Sequence, residues 1–334
     1  MSEAQRLVLE ASQLVTCPGG AGPRRGEAMA RIGLIENGAV AISGDRIESV
    51  GPRDELRTRI PDAERVDLSG HVLTAGLVDS HTHAVFGRTR QDEYERRARG
   101  ESYLEIAAAG GGIRASVRDL RERAPDDLLE LTCERLGRLL DEGTTTVEIK
   151  SGYGLTLDDE LKMLRAAGRA ATEVGLRLVR TCLAAHEVPN EFRERRAEYV
   201  SLVTGEILPR VAAEGLADRC DVFCEPSVFG LDETEAILTR ARELGLGLTV
   251  HADELEPLGG AALAARLGAD SADHLIVIDA AGRAALAAAD TVAVMLPGTV
   301  FTLGLDRYAP ARGMVDEGCA LALATDFNPG SSPI

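Results

Sequence analysis

Asp79-Ser80-His81-Thr82-His83 closes an apolar stretch that begins near Val72. Side chains alternate across an extended strand with period two, so His81 and His83 face the same way and form a potential chelating pair. Neutral imidazole suits zinc or ferrous iron, and a hydrolytic metal site needs about three or four protein ligands with one coordination position left for water. The remaining ligands must come from elsewhere in the chain.

The elements that could bring them together are visible as eight short apolar runs, at 72–80, 144–150, 176–184, 220–225, 246–251, 271–275, 291–296 and 320–325. Helical patterns at 125–142, 158–174, 191–214, 232–244, 258–267 and 279–288 lie between them. Asp158 is expected to cap the second of these helices, and Pro257 precedes the fifth. Such alternation is the signature of repeated βα units around a parallel sheet, and eight units close a (β/α)8 barrel.

The active face of a barrel is built at the C-terminal ends of its strands. His81 and His83 follow the first run, His186 the third, His251 the fifth, His274 the sixth and Asp326 the eighth. His71 falls at the opposite rim and reads as structural. A ligand set of His81, His83, His251 and Asp326 offers three imidazoles and one carboxylate, which suits one divalent ion, zinc or iron, and a bound water whose pKa falls towards 7. The fourth run ends in Glu225 with no lysine, which disfavours a two-metal site bridged by a carbamylated lysine. Lys150, after the second run, reads as structural or as a polar neighbour of the site.

Residues 1–70 differ in pattern from the rest of the chain. Alternating apolar residues at 6–17, 34–40 and 40–50, broken by Asn37-Gly38 and Ser43-Gly44-Asp45, predict hairpins and a small antiparallel sheet. A Gly/Pro-rich loop at 18–26 lies within it. We therefore expect an α/β chain with the N-terminal part of a small composite β-sandwich at 1–70 and the barrel at 71–334. No eighth helix follows the last run, so a C-terminal part of the fold is expected to be missing.

The 334 residues carry a net charge of −17, which disfavours nucleic acid and anionic membrane surfaces as partners. No apolar run approaches the length of a membrane span and no signal-peptide pattern opens the chain, so cytoplasmic residence is expected. The six cysteines lack a C-x-x-C pair and read as free thiols. Cys220 and Cys224 share a strand face, with metal binding the weaker reading.

The H-x-H pair, the later histidines and the final aspartate resemble the amidohydrolase superfamily in its mononuclear form. Longer strings, DSHTHAVFGRTRQDEYERRARGESYLEIAAAGGGI, TTVEIKSGYGL, CEPSVF, HADE, SADHL, MLPG and ATDFNPGSS, are similar to the imidazolonepropionase family. The resemblance implies metal-dependent hydrolysis of the cyclic amide of 4-imidazolone-5-propanoate to N-formimino-L-glutamate in histidine degradation. It implies metal ligation by His81, His83, His251 and Asp326. It also implies contacts to a small anionic cyclic-amide substrate from Arg90, Tyr153, His186, Glu254, Asn328, Gly330 and Ser331.

In that chemistry Asp326 accepts the water proton and passes it to the leaving ring nitrogen, a protonated His274 or the metal steadies the carbonyl oxygen, and Glu254 bonds the ring N–H groups or shuttles a second proton. Arg90 offers a bidentate fork for the propanoate. A homodimer, as the family often forms, is a further expectation. Two other readings are a mononuclear deaminase of a guanine-like or cytosine-like ring, and a shortened, inactive metal-binding relative.

Overall fold

The computed structural model describes residues 6–332, other than 21, 102–104, 107 and 108. The N-terminal residues 1–5 and the part of the ESYLEIAAAG string at 102–104, 107 and 108 lie outside the described residues. The chain divides into two compact units, Met1–Gly76 and Leu77–Ile334.

In the first unit, β1 (Arg6–Val15) pairs antiparallel with β2 (Leu34–Glu36) and β3 (Gly38–Ser43), and β4 (Arg46–Pro52) extends the sheet beyond β3. Both expected turns fall where their residues allow: Asn37 takes φ 50° and Gly44 φ 61°, left-handed values that Asn and Gly tolerate best. A fifth strand, β5 (Glu64–Thr74), runs parallel to β1 and corrects the expectation of a purely antiparallel sheet. Asp67, Ser69, Gly70 and His71 interrupt its apolar pattern, which hides it in the sequence. His71 is an exposed residue of this strand. Val8, Ala39, Ala41, Leu56 and Ile60 form the small core, the last two from the stretch that includes the helix Arg53–Arg59.

The apolar run at 72–80 is thus two strands. It breaks at Ala75-Gly76, and β6 (Leu77–Asp79) opens the second unit. Seven more strands complete the sheet: β7 (Thr144–Lys150), β8 (Arg177–Ala185), β9 (Arg219–Cys224), β10 (Gly247–Ala252), β11 (Ser271–His274), β12 (Val292–Met295) and β13 (Leu321–Leu323). All eight pair in parallel and in sequence order, as βα units require.

The two ends of this sheet meet just past their named strands. Thr82 bridges Phe327 in parallel, His83 N donates to Phe327 O at 2.7 Å, and Asp326 N donates to His81 O at 3.0 Å. Asp79 fastens the same seam: its carboxylate accepts from Thr325 N at 3.1 Å and from Thr325 Oγ1 at 2.6 Å. Closure therefore places His81 and His83 beside Asp326.

The six expected helices stand where the 3.6-residue pattern puts them, with two differences, while the helices Gln91–Ala98, Ile113–Glu122, Pro297–Leu303 and Ala311–Asp316 are not predicted by it. Thr156, rather than Asp158, caps the helix Leu157–Val174: its backbone is still extended and its side chain accepts from Asp159 N at 3.2 Å. The pattern at 191–214 is broken into a 3-10 turn (Asn190–Phe192), the helix Arg196–Leu202, a π turn (Val203–Ile207) and the helix Leu208–Ala213. Pro209 explains the π turn, because it lacks the N–H that a continuous helix would need there.

Candidate active site

His81, His83 and His251 each present a ring nitrogen within 4.8 Å of the others, and His81, His274 and Asp326 form a second such group. His251 Nε2 and His83 Nε2 are 3.4 Å apart, and Asp326 Oδ1 stands 3.5 Å from Nε2 of both His81 and His83. The expected ligands therefore converge, and all of them are buried. His81 Nε2 is sealed from solvent with no hydrogen-bond partner, a costly state for a nitrogen lone pair unless an electrophile occupies the space it faces. Burial, with neighbouring cationic groups second, holds His81, His83 and His274 well below the ordinary imidazole range. Their rings are neutral, the form that binds metal.

Carboxylates from neighbouring strands orient two of these rings. Asp273 Oδ2 lies 2.6 Å from His81 Nδ1, and Asp221 Oδ1 lies 2.9 Å from His251 Nδ1. Each bond fixes the tautomer that leaves Nε2 free. Asp221 Oδ2, Glu148 Oε1 and Asp273 Oδ2 in turn face Lys150 Nζ at 2.8, 2.9 and 3.8 Å. Three carboxyl groups share this one ammonium, and burial pushes two of them up, Glu148 and Asp273, the latter to about 7. The donor set fits a metal ion. Asp221 and Asp273 are the residues sequence reading misses; each is an acid inside an apolar parallel strand, and that anomaly is the signal that could have found them.

His83, Arg90, Tyr153, His186, His251, Glu254, His274, Asp326, Asn328 and Ser331 line one cleft, joined by Ile113, Phe223, Leu255 and Leu303, which motif reading does not single out. His186 stacks on His83 with ring centres 5.0 Å apart, and its Nδ1 faces Gly152 O at 3.1 Å. Burial pushes His186 down to about 3, so it too is neutral. Burial, reinforced by the Asp326 carboxylate, pushes Glu254 up to about 8, and burial raises Asp326 to about 6 despite the hydrogen bond from Thr299 Oγ1 at 2.5 Å.

Arg90 is buried rather than solvated on a helix face. Its Nη1 donates to Ser116 Oγ at 2.8 Å, and its Nε stands 3.3 Å from Glu93 Oε2. Gly330 does not line the cleft; its α-carbon packs against the Arg90 guanidinium. Asn328 organises that loop through its own side chain, Oδ1 accepting from Gly330 N and Ser331 N at 2.8 Å each. Backbone strain gathers at the same rim: His274 and Asp326 adopt φ 72° and 53°, left-handed values that cost of order 1–3 kcal/mol for such residues. Cys220 and Cys224 are buried free thiols and belong to no metal-type cluster among the described residues.

The chain is similar to known proteins in sequence and in fold. Residues 38–63 match the family model for the imidazolonepropionase-like composite domain of bacteria. The imidazolonepropionase of Solibacter usitatus is 50% identical over 327 residues, 98% of this chain and 78% of that protein. The enzyme of that name from Symbiobacterium thermophilum is 50% identical over 337 residues, 100% of this chain and 79% of that protein. Among solved structures, a triazine hydrolase variant superposes with a TM-score of 0.71 at 18% identity, covering 98% of this chain and 72% of its own, a likeness of fold. With half its residues shared along nearly its whole length, the chain belongs to the imidazolonepropionase family.

Proposed function

We propose that this chain hydrolyses the cyclic amide of 4-imidazolone-5-propanoate to N-formimino-L-glutamate, a step of histidine degradation. The observation that carries the reading is the buried cluster of His81, His83, His251 and Asp326, of which His83, His251 and Asp326 line the cleft that also holds the buried Arg90 guanidinium. His81, His83, His251 and Asp326 would hold one divalent ion, zinc or iron, which supplies Lewis acidity and a more acidic water when bound.

The chain's own residues supply the rest. Arg90 takes the propanoate carboxylate: its guanidinium lines the cleft, steadied by Ser116 Oγ and Glu93. Tyr153, His186, Asn328 and Ser331 border the ring and its tail. As water adds to the carbonyl carbon, Asp326 accepts its proton and returns it to the ring nitrogen, so that a C–O bond forms and the C–N bond breaks. His274, neutral, donates one N–H to the carbonyl oxygen as charge builds there. Glu254, with its raised pKa, carries a proton near neutral pH and can bond the ring nitrogens or relay a second proton.

The strong negative charge supports a cytoplasmic enzyme acting on a small molecule, without nucleic acid or membrane partners. Among the described residues no helix is long and apolar enough to cross a membrane. A homodimer remains part of the proposal. The test is direct: purified chain is added to freshly prepared imidazolone propanoate and its ultraviolet absorbance followed. Loss that a chelator abolishes and added zinc or iron restores supports the reading; no loss with metal bound sinks it.

A further inference from the structure

Lys150 is almost wholly buried beneath the histidine cluster, with 1% of its side chain exposed. Its ammonium has three protons and three carboxylate neighbours, Glu148, Asp221 and Asp273. Burial alone would lower its pKa, but those three charges outweigh burial and raise it. The group is therefore a fixed cation, with no free amine to act as nucleophile or to be carbamylated.

Each neighbour reaches one part of the ligand set. Asp221 holds His251 through both its ring Nδ1 and its backbone N, at 2.9 and 3.2 Å. Asp273 holds the ring of His81. The third branch reaches the chain between His81 and His83: the Glu148 carboxylate accepts from Thr82 N at 3.4 Å through Oε2, beside the backbone bonds from Thr82 Oγ1 to Glu148 O at 2.7 Å and from Lys150 N to Thr82 O at 2.9 Å. Without a central cation, three buried carboxylates would repel one another and draw away from the rings they orient.

We infer that Lys150 is a positioning residue for the metal centre, whose ammonium locks Glu148, Asp221 and Asp273 into one layer and thereby sets how tightly His81, His83 and His251 grip a divalent cation. The inference rests on reading that cluster as a metal site. A purely architectural lysine would support folding and leave the coordination of bound metal unchanged.

The experiment measures Co2+ binding to the full chain by chelator competition and by visible absorption, in wild type and Lys150→Met. Loss of an outer hydrogen-bonding partner typically weakens metal binding roughly 10- to 100-fold. We expect a loss in that range for Lys150→Met, with shifted Co2+ absorption bands at saturating metal. If that variant does not fold, Glu148→Gln/Lys150→Met, which relieves the unpaired charge, is compared with Glu148→Gln alone, and the same weakening is expected. Affinity and bands unchanged in whichever folds would overturn the inference, as would failure of both to fold. Wild type that binds no Co2+ would overturn the metal reading itself.

Discussion

The Gly330 α-carbon lies so close to Arg90 that a methyl group added there would meet Nη2 at 1.9 Å. The guanidinium has little room to retreat, because Ser116 and Glu93 hold its other nitrogens. Gly330→Ala should therefore turn Arg90 away from the cleft and raise KM for the propanoate substrate about tenfold or more, the equivalent of about 1.4 kcal/mol of charge-assisted pairing. Arg90→Ala should do the same, and neither should alter metal content. Steady-state kinetics with metal analysis decides the matter. An unchanged KM in Arg90→Ala would favour a deaminase of a neutral ring, which has no use for a fixed cation.

His274 offers a neutral N–H where negative charge would develop, and alanine removes that donor. Turnover in His274→Ala should fall by about 10²–10³, the usual effect of losing one such donor, while KM and bound metal stay near wild type. Single-turnover measurements on metal-loaded protein separate this from a ligand role, in which metal content would fall as well.

Much of this site can be read from the sequence because the residues proposed as its ligands stand at the ends of apolar runs, where barrel topology sends them to one rim. His81, His83, His251 and Asp326 share that position, and the structure brings them together. Their supporting residues cannot be read in the same way. The bond between His81 and Asp273 spans 192 residues, and no local pattern pairs them. The packing of Gly330 on Arg90 depends on two loops meeting, and β5 hides behind polar residues that a parallel partner tolerates. Lys150 is visible as a lysine near the strand end with Glu148 two residues before it, but Asp221 and Asp273 come from two other strands and reach it only in the folded sheet.

Glu10 gives the first unit a pH dependence of its own. It is buried on β1, accepts two hydrogen bonds from Arg57 at 2.9 and 2.6 Å, and a third from Arg65 at 2.9 Å. The Arg57 hydrogen bonds, with Arg65 assisting against the effect of burial, hold its carboxyl below the usual glutamate range. A carboxyl lowered on folding stabilises the protein above its unfolded pKa, and that contribution disappears as pH falls through the folded value. Because Arg57 is half exposed, solvent screening keeps the contribution modest. Thermal unfolding of Glu10→Gln should show a lower Tm than wild type at pH 7 and a difference that closes as the solution is acidified below about pH 4, near the ordinary carboxylate range. A difference that widens in acid would contradict the assignment.

Glu160 makes the most exacting prediction, because it acts on the cleft without touching it. Its Oε2 accepts from Gly152 N at 3.1 Å, and its Oε1 from Gly154 N and Leu155 N at 2.9 and 2.8 Å. These three bonds wrap the loop that carries Tyr153 around a single fully buried carboxylate. The loop has no cheap alternative shape: Gly152 sits at φ 108°, and a side chain there would meet Leu183 O at 2.8 Å and His186 Nδ1 at 2.9 Å. In Glu160→Gln an amide NH2 must face a backbone N–H, so at least one buried donor loses its acceptor at a cost of about 1–3 kcal/mol. The loop should loosen, lowering Tm by several degrees and kcat/KM about tenfold through Tyr153 and His186. Metal affinity should stay at the wild-type level, because Glu160 makes no bond to the carboxylates that orient His81 and His251. A folded Glu160→Gln with wild-type kcat/KM would mean that Tyr153 does not need its loop held, and would remove it from the substrate's surroundings.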